Sequence, residues 1–490
     1  MRKLGVAVIA LWTAGLIACG SFLYSRFMES IDFGMFTQAW TRIGSGDLYP
    51  VTSLRGDFLH VHFELLLWPL SLLAAIYPNP LVLVWVQALA LGACGLVVML
   101  WAFAVIEQRL PLGRSRLVAA VALLVAIVIN PISYEVMAQD FHFGPVGATF
   151  ILLAAYALWR DRTSWAWIFV ALCLITSDVS ASFVIGLGLS ALLVRRTRRS
   201  GVLMVAAGIG WLVLVTLLHA DTGSHLRTGY AYLAGHPIGS GLGGVAAVSV
   251  GILGHPGRAG GMLWRRIPAM LYFLRPGGVI GLLSPWGLGI PLVVLVESAL
   301  QHNPVFIDAS FQNVMATSFV MIGTVLVLSA LASKPLRGVP RPRAAGVLTG
   351  LVLISCLSFA AAELPGAFVH ETAGGAVVSP ATAAALGRAL GKTPPDAEVI
   401  VALEVMGRFS ARESVYPYFV IARRYPIDRR RIVVVLVRSL STSGAAARGE
   451  LPAIRWLRAH GAKVLVNSAG VQAVLWMPDT GRRSVKLPGL

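Results

Sequence analysis

Apolar runs long enough to cross a lipid bilayer recur along the first three quarters of this chain, and they constrain its fold more than any other feature. A spanning helix needs about 20 predominantly apolar residues. Because lipid offers no hydrogen-bond partners to the backbone, such segments must be helical. The 490-residue chain is 57% hydrophobic and only 13% charged, whereas soluble domains are about 25% charged. The sequence therefore predicts a polytopic α-helical membrane protein.

We place about eleven spans along the chain, and short breaks divide two pairs of them. One break falls around Ser177-Asp178 and the other at Arg275–Gly278. The apolar stretch at the N-terminus resembles a signal sequence, but we interpret it as the first, uncleaved span because many more follow. The predicted spans are 4–24, 81–105, 116–133, 144–160, 163–176, 178–194, 201–219, 264–274, 277–298, 313–333 and 344–362.

The distribution of basic residues sets the expected orientation in the plasma membrane. The formal net charge is +18, from 40 Lys and Arg against 22 Asp and Glu. Cytoplasmic loops collect Lys and Arg, so the basic balance is attributed to topology and lipid headgroups rather than to nucleic acid. With the N-terminus inside, the span count leaves the C-terminus outside and puts four basic clusters in the cytoplasm. These clusters are 109–116, 160–162, 195–199 and 334–343.

Two domains are expected from the change in composition near residue 363. Residues 1–362 form the membrane domain, with external loops 25–80 and 220–263. Residues 363–490 carry 17 basic and 9 acidic residues and read as a small extracytoplasmic α/β domain. Its predicted elements are a helix capped at Ser379-Pro380, β-branched strands at 398–406 and 431–437, a helix at 451–460, and a hairpin at 463–477 that turns at 467–470.

Polar residues able to carry chemistry gather on the predicted outer side. Asp32 follows the first span, where it is either the N-cap of a helix or a general base at the membrane surface. The other groups are Asp57, His60, His62 and Glu64, then Asp140 and His142, and finally Asp178. Any one group is explained as polar residues at the water boundary. Their convergence at one membrane level favours a functional site, since ionisable residues near membrane depth are costly.

The histidine spacing leaves metal binding open. His60 and His62 are two residues apart, so on a helix their side chains point to nearly opposite faces. On an extended segment the same two side chains share one face and are able to bind one ion. We therefore leave the cofactor undetermined, with a divalent metal ion as the candidate.

Four segments occur in order and carry a resemblance to a known family. They are IDFGMFTQAW, HVHFELLLWPL, AQDFHFGPVGA and YAYLAGHP followed by GHPGR. The chain resembles the predicted membrane proteins of the "domain of unknown function 2079" family. That family looks like a branch of the GT-C superfamily, membrane glycosyltransferases that use lipid-phosphate-linked sugars.

The resemblance implies roles for individual residues. Asp32 occupies the place of the GT-C catalytic base in the first external loop, and Asp140 and His142 match a family segment that lacks its Glu here. A second family Asp, expected before Gln38, is replaced by Thr37. The implied catalytic residues are thus Asp32, Asp140 and His142. The implied substrate-binding residues are Gln38, Asp57, His60, His62, Asp178, Arg227, Tyr230, His255, Arg258 and Arg266.

The resemblance also implies an inverting transfer from a polyprenyl-phosphate-linked sugar to a cell-envelope glycan or glycolipid. A carboxylate must take the proton of the acceptor hydroxyl. Cations or a metal ion must neutralise the departing phosphate, and Arg227, Arg258, Arg265 or Arg266 are placed to supply the charge. Two alternatives stay open, namely a transporter or flippase of lipid-linked glycans and a non-catalytic scaffold for envelope assembly.

Overall fold

A computed structural model of the chain describes residues 1–52, 56–110, 113–218, 229–239, 241–303, 310–333, 341–367, 378–418, 423–438, 451–479 and 483–488. Among these residues, five helical segments are long and apolar enough to cross a membrane, and shorter apolar helices accompany them. The prediction of a helical membrane protein is confirmed, whereas the count of about eleven spans stays a prediction. The five segments are Arg2–Ser25, Leu81–Arg109, Arg114–Ala138, Arg195–Leu218 and Phe311–Ser333.

A helix is present at each predicted span, and further helices lie between them. In chain order they are α1 Arg2–Ser25, α2 Ile31–Gly44, α3 Phe58–Val61, α4 Leu67–Ile76, α5 Leu81–Arg109, α6 Arg114–Val128, α7 Pro131–Ala138, α8 Gly144–Trp159, α9 Thr163–Leu174, α10 Ser180–Leu192, α11 Arg198–Leu218, α12 Gly241–Gly254, α13 Pro256–Leu274, α14 Pro285–Leu300, α15 Ser310–Ser333 and α16 Arg341–Ala367. Strands β1 Val51–Thr52 and β2 Gly56–Asp57 form a short antiparallel ladder before α3.

Both predicted breaks are present. Helix α9 ends at Leu174 and α10 begins at Ser180. Two 3-10 helices separate α13 from α14, with Gly278 between them at φ +80°. Because a side chain is disfavoured at positive φ, glycine suits this turn.

Two boundaries in the second external loop differ from the prediction. Helix α13 begins at Pro256 rather than at 264. Helix α12 (Gly241–Gly254) lies within the segment predicted as loop 220–263. The glycines of this segment favoured a loop, yet Val, Ala, Leu and Ile between them give the helix an apolar surface. Glycine is tolerated in membrane helices better than in soluble ones.

Glycines allow the helices of the bundle to pack closely. A Cβ on Gly186 of α10 would lie 2.7 Å from Ile290 Cα of α14, and one on Gly289 would lie 2.3 Å from Gly186 O. A Cβ on Gly201 of α11 would likewise lie 2.7 Å from Gly188 O of α10. Small residues commonly mark such contacts in membranes, where van der Waals packing replaces the hydrophobic effect as the driving force.

The small α/β region predicted at the C-terminal end is also present. Its five-stranded sheet has the order β4-β3-β6-β8-β7, in which β4, β3 and β6 are parallel and β8 is antiparallel to both of its neighbours. One helix packs on each face of the sheet. The elements are α17 Pro380–Lys392, β3 Glu398–Ala402, β4 Val415–Tyr418, β5 Arg423–Pro426, β6 Ile432–Val437, α18 Pro452–Ala459, β7 Lys463–Ser468, β8 Val471–Trp476 and β9 Ser484–Leu487.

Most of the local structure predicted for this region is confirmed. Ser379 caps α17 by accepting a hydrogen bond from Thr382 N at 3.1 Å. The β7–β8 hairpin turns through Ala469 and Gly470, both with positive φ, as tight hairpins require. The strand predicted at 398–406 ends at Ala402, where 3-10 helices replace it. Strands β4, β5 and β9 were not predicted. Strand β4 is hard to recognise because it contains Pro417, and proline within a sheet is confined to edge strands such as this one.

The α/β region docks directly on helix α2. Gly407 N donates a hydrogen bond to Glu29 O at 3.1 Å, and the Gln38 side-chain amide donates to Glu413 O at 2.6 Å. The Arg408 guanidinium lies 4.0 Å from the centroid of the Phe27 ring. Helix α2 is therefore held between the membrane helices and the sheet.

This docking predicts an asymmetry between two glycines. A Cβ on Gly407 would lie 2.6 Å from Glu29 Cβ and 3.0 Å from the Glu29 carbonyl oxygen, whereas a Cβ on Gly387 would enter open space. We expect Gly407→Ala to destabilise the protein by about 1–3 kcal/mol through overpacking. Thermal unfolding in detergent measures the effect, and Gly387→Ala serves as the control. Equal melting temperatures for both variants would contradict a rigid contact.

Candidate functional site

The first turn of α2 is fixed by a carboxylate from a distant part of the chain. Asp140, in the loop after α7, accepts hydrogen bonds from the backbone N–H groups of Ser30, Asp32 and Phe33 at 2.7, 3.1 and 3.2 Å. The Ser30 hydroxyl donates a fourth, at 2.6 Å. These donors have no partner within the helix, and the positive end of the helix dipole favours a carboxylate. Asp140 therefore caps α2.

This arrangement corrects the interpretation of Asp32 as an N-cap. Ser30 is the N-cap residue, and Asp32 lies within the first helical turn. Since Asp140 supplies the capping carboxylate, the Asp32 carboxylate is not needed for that purpose. Its side chain retains 37% exposure at the edge of the site.

Two buried acids at the cap, Asp140 and Glu29, have raised pKa values. Burial raises the pKa of Asp140, and the nearby charge of Asp32 adds to the rise, while hydrogen bonds to Ser30 and Phe33 oppose it. Burial and the charge of Asp140 raise the pKa of Glu29 to about 8. Glu29 Oε2 is buried without a hydrogen-bond partner. The carboxyl group of Glu29, which lies beside the cap, is thus protonated near neutral pH.

His142 faces the exposed carboxylate of Asp32. The distance from His142 Nε2 to Asp32 Oδ2 is 3.8 Å. The other ring nitrogen, Nδ1, lies 2.9 Å from the Asp140 carbonyl oxygen, so Nδ1 carries a proton and donates it there. The imidazole stacks on Phe311 at a centroid distance of 3.5 Å, and its backbone N–H donates to Gln87 Oε1 at 2.9 Å. Three contacts thus hold the ring, and a fourth holds the backbone of His142.

The surroundings favour the charged form of His142. Burial lowers its pKa, but the Asp32 carboxylate and the Asp140 carbonyl outweigh burial, and the net pKa lies above the ordinary value. The charge of His142, and with it the ion pair, is therefore lost as pH rises through this raised pKa.

A second polar group lies beside this pair. Phe36 separates the two groups, with ring centroids 5.3 Å from His62 and 5.8 Å from His142. His62 Nδ1 is 3.7 Å from Glu64 Oε1. Burial raises the pKa of Glu64, His62 lowers it, and the charge of Asp178 raises it further. The structure therefore brings together the groups around Asp32, His62 and Asp178, as expected.

Three of the residues expected to bind substrate have local structural partners. Asp57 caps α3 by accepting from Leu59 N at 3.0 Å. Gln38 is fully buried against the α/β region, away from the polar groups. Asp178 accepts hydrogen bonds from the Ser177 hydroxyl and Val179 N, both at 2.9 Å. The side chain of His60 lies outside the described residues.

The predicted substrate-binding residues between 220 and 266 have contacts of their own. The Arg258 guanidinium lies against Gly235, Arg266 donates to the His302 carbonyl at 3.4 Å, and His255 is the exposed N-cap residue of α13. Tyr230 donates to the Glu297 carbonyl at 3.2 Å. Arg227 lies outside the described residues.

Glu297 is a site residue that sequence reasoning missed. Its carboxylate accepts a hydrogen bond from the Ser182 hydroxyl and lies close enough to Asp178 for their charges to interact. The Tyr230 hydroxyl donates to the Glu297 carbonyl, so Glu297 joins the segment of Tyr230 to the polar group that contains Asp178. The signal was available, because an acid within an apolar helix is a functional candidate by default.

Among the described residues, no three His, Cys, Asp or Glu side chains are arranged to hold a metal ion.

The capping role of Asp140 predicts a stability difference between two acids. Asp140→Ala leaves three backbone N–H groups and a hydroxyl without an acceptor, so we expect a loss of about 2 kcal/mol or more. Asp32→Asn removes no cap and should change stability by less than about 0.5 kcal/mol. Thermal unfolding in detergent compares them. A larger loss for Asp32→Asn would overturn the assignment of the cap.

Comparison with known proteins agrees with the membrane fold. The profile of a family described as "Predicted membrane protein (DUF2079)" matches residues 23–449. No curated protein matches the chain. The match spans most of the chain and includes α2, the capping loop and the second external loop. The chain therefore belongs to this family of predicted membrane proteins.

Proposed function

We propose that this member of the DUF2079 family is an inverting membrane glycosyltransferase of the GT-C type. It transfers a sugar from a polyprenyl-phosphate-linked donor to a cell-envelope acceptor on the outer face of the plasma membrane. One observation carries the proposal: Asp32 presents a carboxylate with 37% exposure to His142 Nε2 at 3.8 Å, while Asp140 is occupied by the helix cap. Asp32 is the more exposed carboxylate of this pair, and we assign the proton transfer to it.

The proposed reaction is a single displacement. The acceptor hydroxyl gives its proton to the Asp32 carboxylate as its oxygen bonds to the anomeric carbon of the donor sugar. The bond from that carbon to the phosphate oxygen breaks, and polyprenyl phosphate leaves with the electron pair. Because the phosphate is already a good leaving group, no strong acid is required. His142 is a positioning residue that orients the Asp32 carboxylate.

The basic group near the second external loop is suited to the leaving phosphate. Arg258 and Arg266 offer planar guanidinium groups that form charge-assisted hydrogen bonds to phosphate oxygens. The link from Tyr230 to the helix of Glu297 connects this group to the acidic one. A preorganised positive group stabilises charge that develops on the departing oxygen.

The topology that this reaction needs is also a proposal. We infer about eleven spans, with the N-terminus in the cytoplasm and residues 363–490 outside, because this places the basic loop clusters inside. A reporter active only in the cytoplasm should be silent when fused after Leu490. The same reporter fused within 160–162 should give a strong signal. A strong signal from the C-terminal fusion would overturn the arrangement and move Asp32 to the inner face.

The base assignment predicts a selective loss of activity. Asp32→Asn should abolish transfer, by about 100-fold or more, while binding of the donor and thermal stability stay nearly unchanged. Purified protein tested against a panel of polyprenyl-phosphate sugars measures both the transfer and the binding. Asp161→Asn is the matched control, because Asp161 is an exposed carboxylate paired with Arg196.

The outcomes separate the three function classes. Substantial turnover by Asp32→Asn would refute the base. Movement of lipid-linked glycans across the bilayer without any transfer would favour a flippase. If the wild-type protein neither binds nor converts any polyprenyl-phosphate sugar, a scaffold role would be favoured.

A further inference from the structure

The contact between α2 and the α/β region opens beyond Gln38 and leaves a polar cleft. Its volume is about 430 Å³, within the range of about 300–1,000 Å³ typical of ligand pockets. None of its lining residues takes part in the chemistry proposed above. The residues that shape it are Arg42, Val51, Glu413, Tyr416, Asp428 and Arg429.

The charges of the cleft are mutually compensated. Arg429 forms an ion pair with Glu413, and the Tyr416 hydroxyl donates to Asp428 Oδ2 at 2.9 Å. On the other wall, Arg42 Nη2 lies 2.7 Å from Asp47 Oδ2. An anionic ligand such as a phosphate is bound best by an excess of positive groups, which this cleft lacks. It offers donors and acceptors side by side instead.

This mixture matches a ligand with closely spaced hydroxyl groups. A hydroxyl both donates and accepts, so neighbouring hydroxyls are able to bridge a carboxylate and a guanidinium at once. The ring of half-buried Tyr416 adds a flat apolar surface for the C–H groups of a sugar. Its hydrogen bond to Asp428 restrains the ring, which reduces the entropy lost on binding. We propose that the cleft binds a neutral saccharide.

The cleft lies beside α2, the helix that carries Asp32. We therefore assign its ligand to the acceptor of the sugar, a step that rests on the proposed function. Asp32 and Arg42 belong to the same helix, and a rise of about 1.5 Å per residue separates them by about 15 Å along its axis. Gln38, between them, ties the helix to the Glu413 carbonyl. Since residues 33–40 of α2 are buried, an acceptor glycan whose reacting hydroxyl lies at Asp32 has to span this separation around the helix, with its distal sugar units in the cleft.

Saccharide binding is testable without any turnover. The full-length protein in nanodiscs is titrated, by saturation-transfer NMR, with neutral trisaccharides of glucose, mannose, galactose and N-acetylglucosamine. Trigalacturonate and inorganic phosphate are the charged probes. We expect at least one neutral trisaccharide to bind and both charged probes to bind more weakly. Tyr416→Ala should weaken that binding by about tenfold, the equivalent of one well-placed contact.

Two further variants keep the test decisive. Arg429→Ala changes an exposed side chain and should also weaken binding, which gives a second reading if Tyr416→Ala unfolds. Arg388→Ala, on the exposed face of α17 where Arg388 contacts Ser468, is the control and should bind normally. Preferential binding of a charged probe, binding that survives both cleft variants, or no binding of any neutral trisaccharide would overturn the proposal.

The variant Asp32→Asn distinguishes this inference from the proposed function. It should lose transfer and still bind the neutral trisaccharide with the affinity of the wild type. If the cleft binds the saccharide but no sugar transfer is found with any donor, the glycosyltransferase proposal fails while the binding site stands. If transfer is found and the cleft variants change neither binding nor the KM for acceptor, the cleft proposal fails alone.

Discussion

The hydrogen bonds from the first turn of α2 to the Asp140 carboxylate are the interaction on which the arrangement of α2, His142 and the α/β region depends. They satisfy backbone donors that no residue of the helix itself reaches. A helix of 14 residues outside the bundle is marginal in isolation, so its start needs an external partner. The same loop carries His142, and the cap therefore sets the distance between His142 and Asp32.

Helix α2 transmits this arrangement in two directions. Its Phe36 side chain lies among the rings of Phe58, Phe141 and Phe143, which joins it to the loops above the bundle. Its opposite contacts, through Gly34 and Gln38, hold the α/β region. A disturbance of the cap would thus reach both the Asp32–His142 pair and the docking of the sheet. This explains why the polar groups and the cleft belong to one connected unit.

Sequence reasoning named polar residues that the structure brings close together, but it assigned Asp32 and Asp140 without knowledge of their partners. Asp32 was a possible cap because Asp is a favoured capping residue near a helix start. The structure gives that role to Asp140, more than a hundred residues away in the chain. The Gln38 side chain contacts Glu413 of the α/β region, and the Asp57 side chain caps α3. Glu297 was overlooked although an acid within an apolar helix is itself a signal.

The sequence by itself determined that the chain is a helical membrane protein, where most of its helices lie, and that a small α/β region follows them. These properties depend on local hydrophobicity, on periodicity and on caps such as Ser379, all of which short segments express without long-range partners. The tertiary structure alone decided which carboxylate is a cap and which is exposed, that His142 faces Asp32, and that a neutral cleft opens between α2 and the sheet. Such properties arise from contacts between residues far apart in the chain, whose geometry no local pattern encodes.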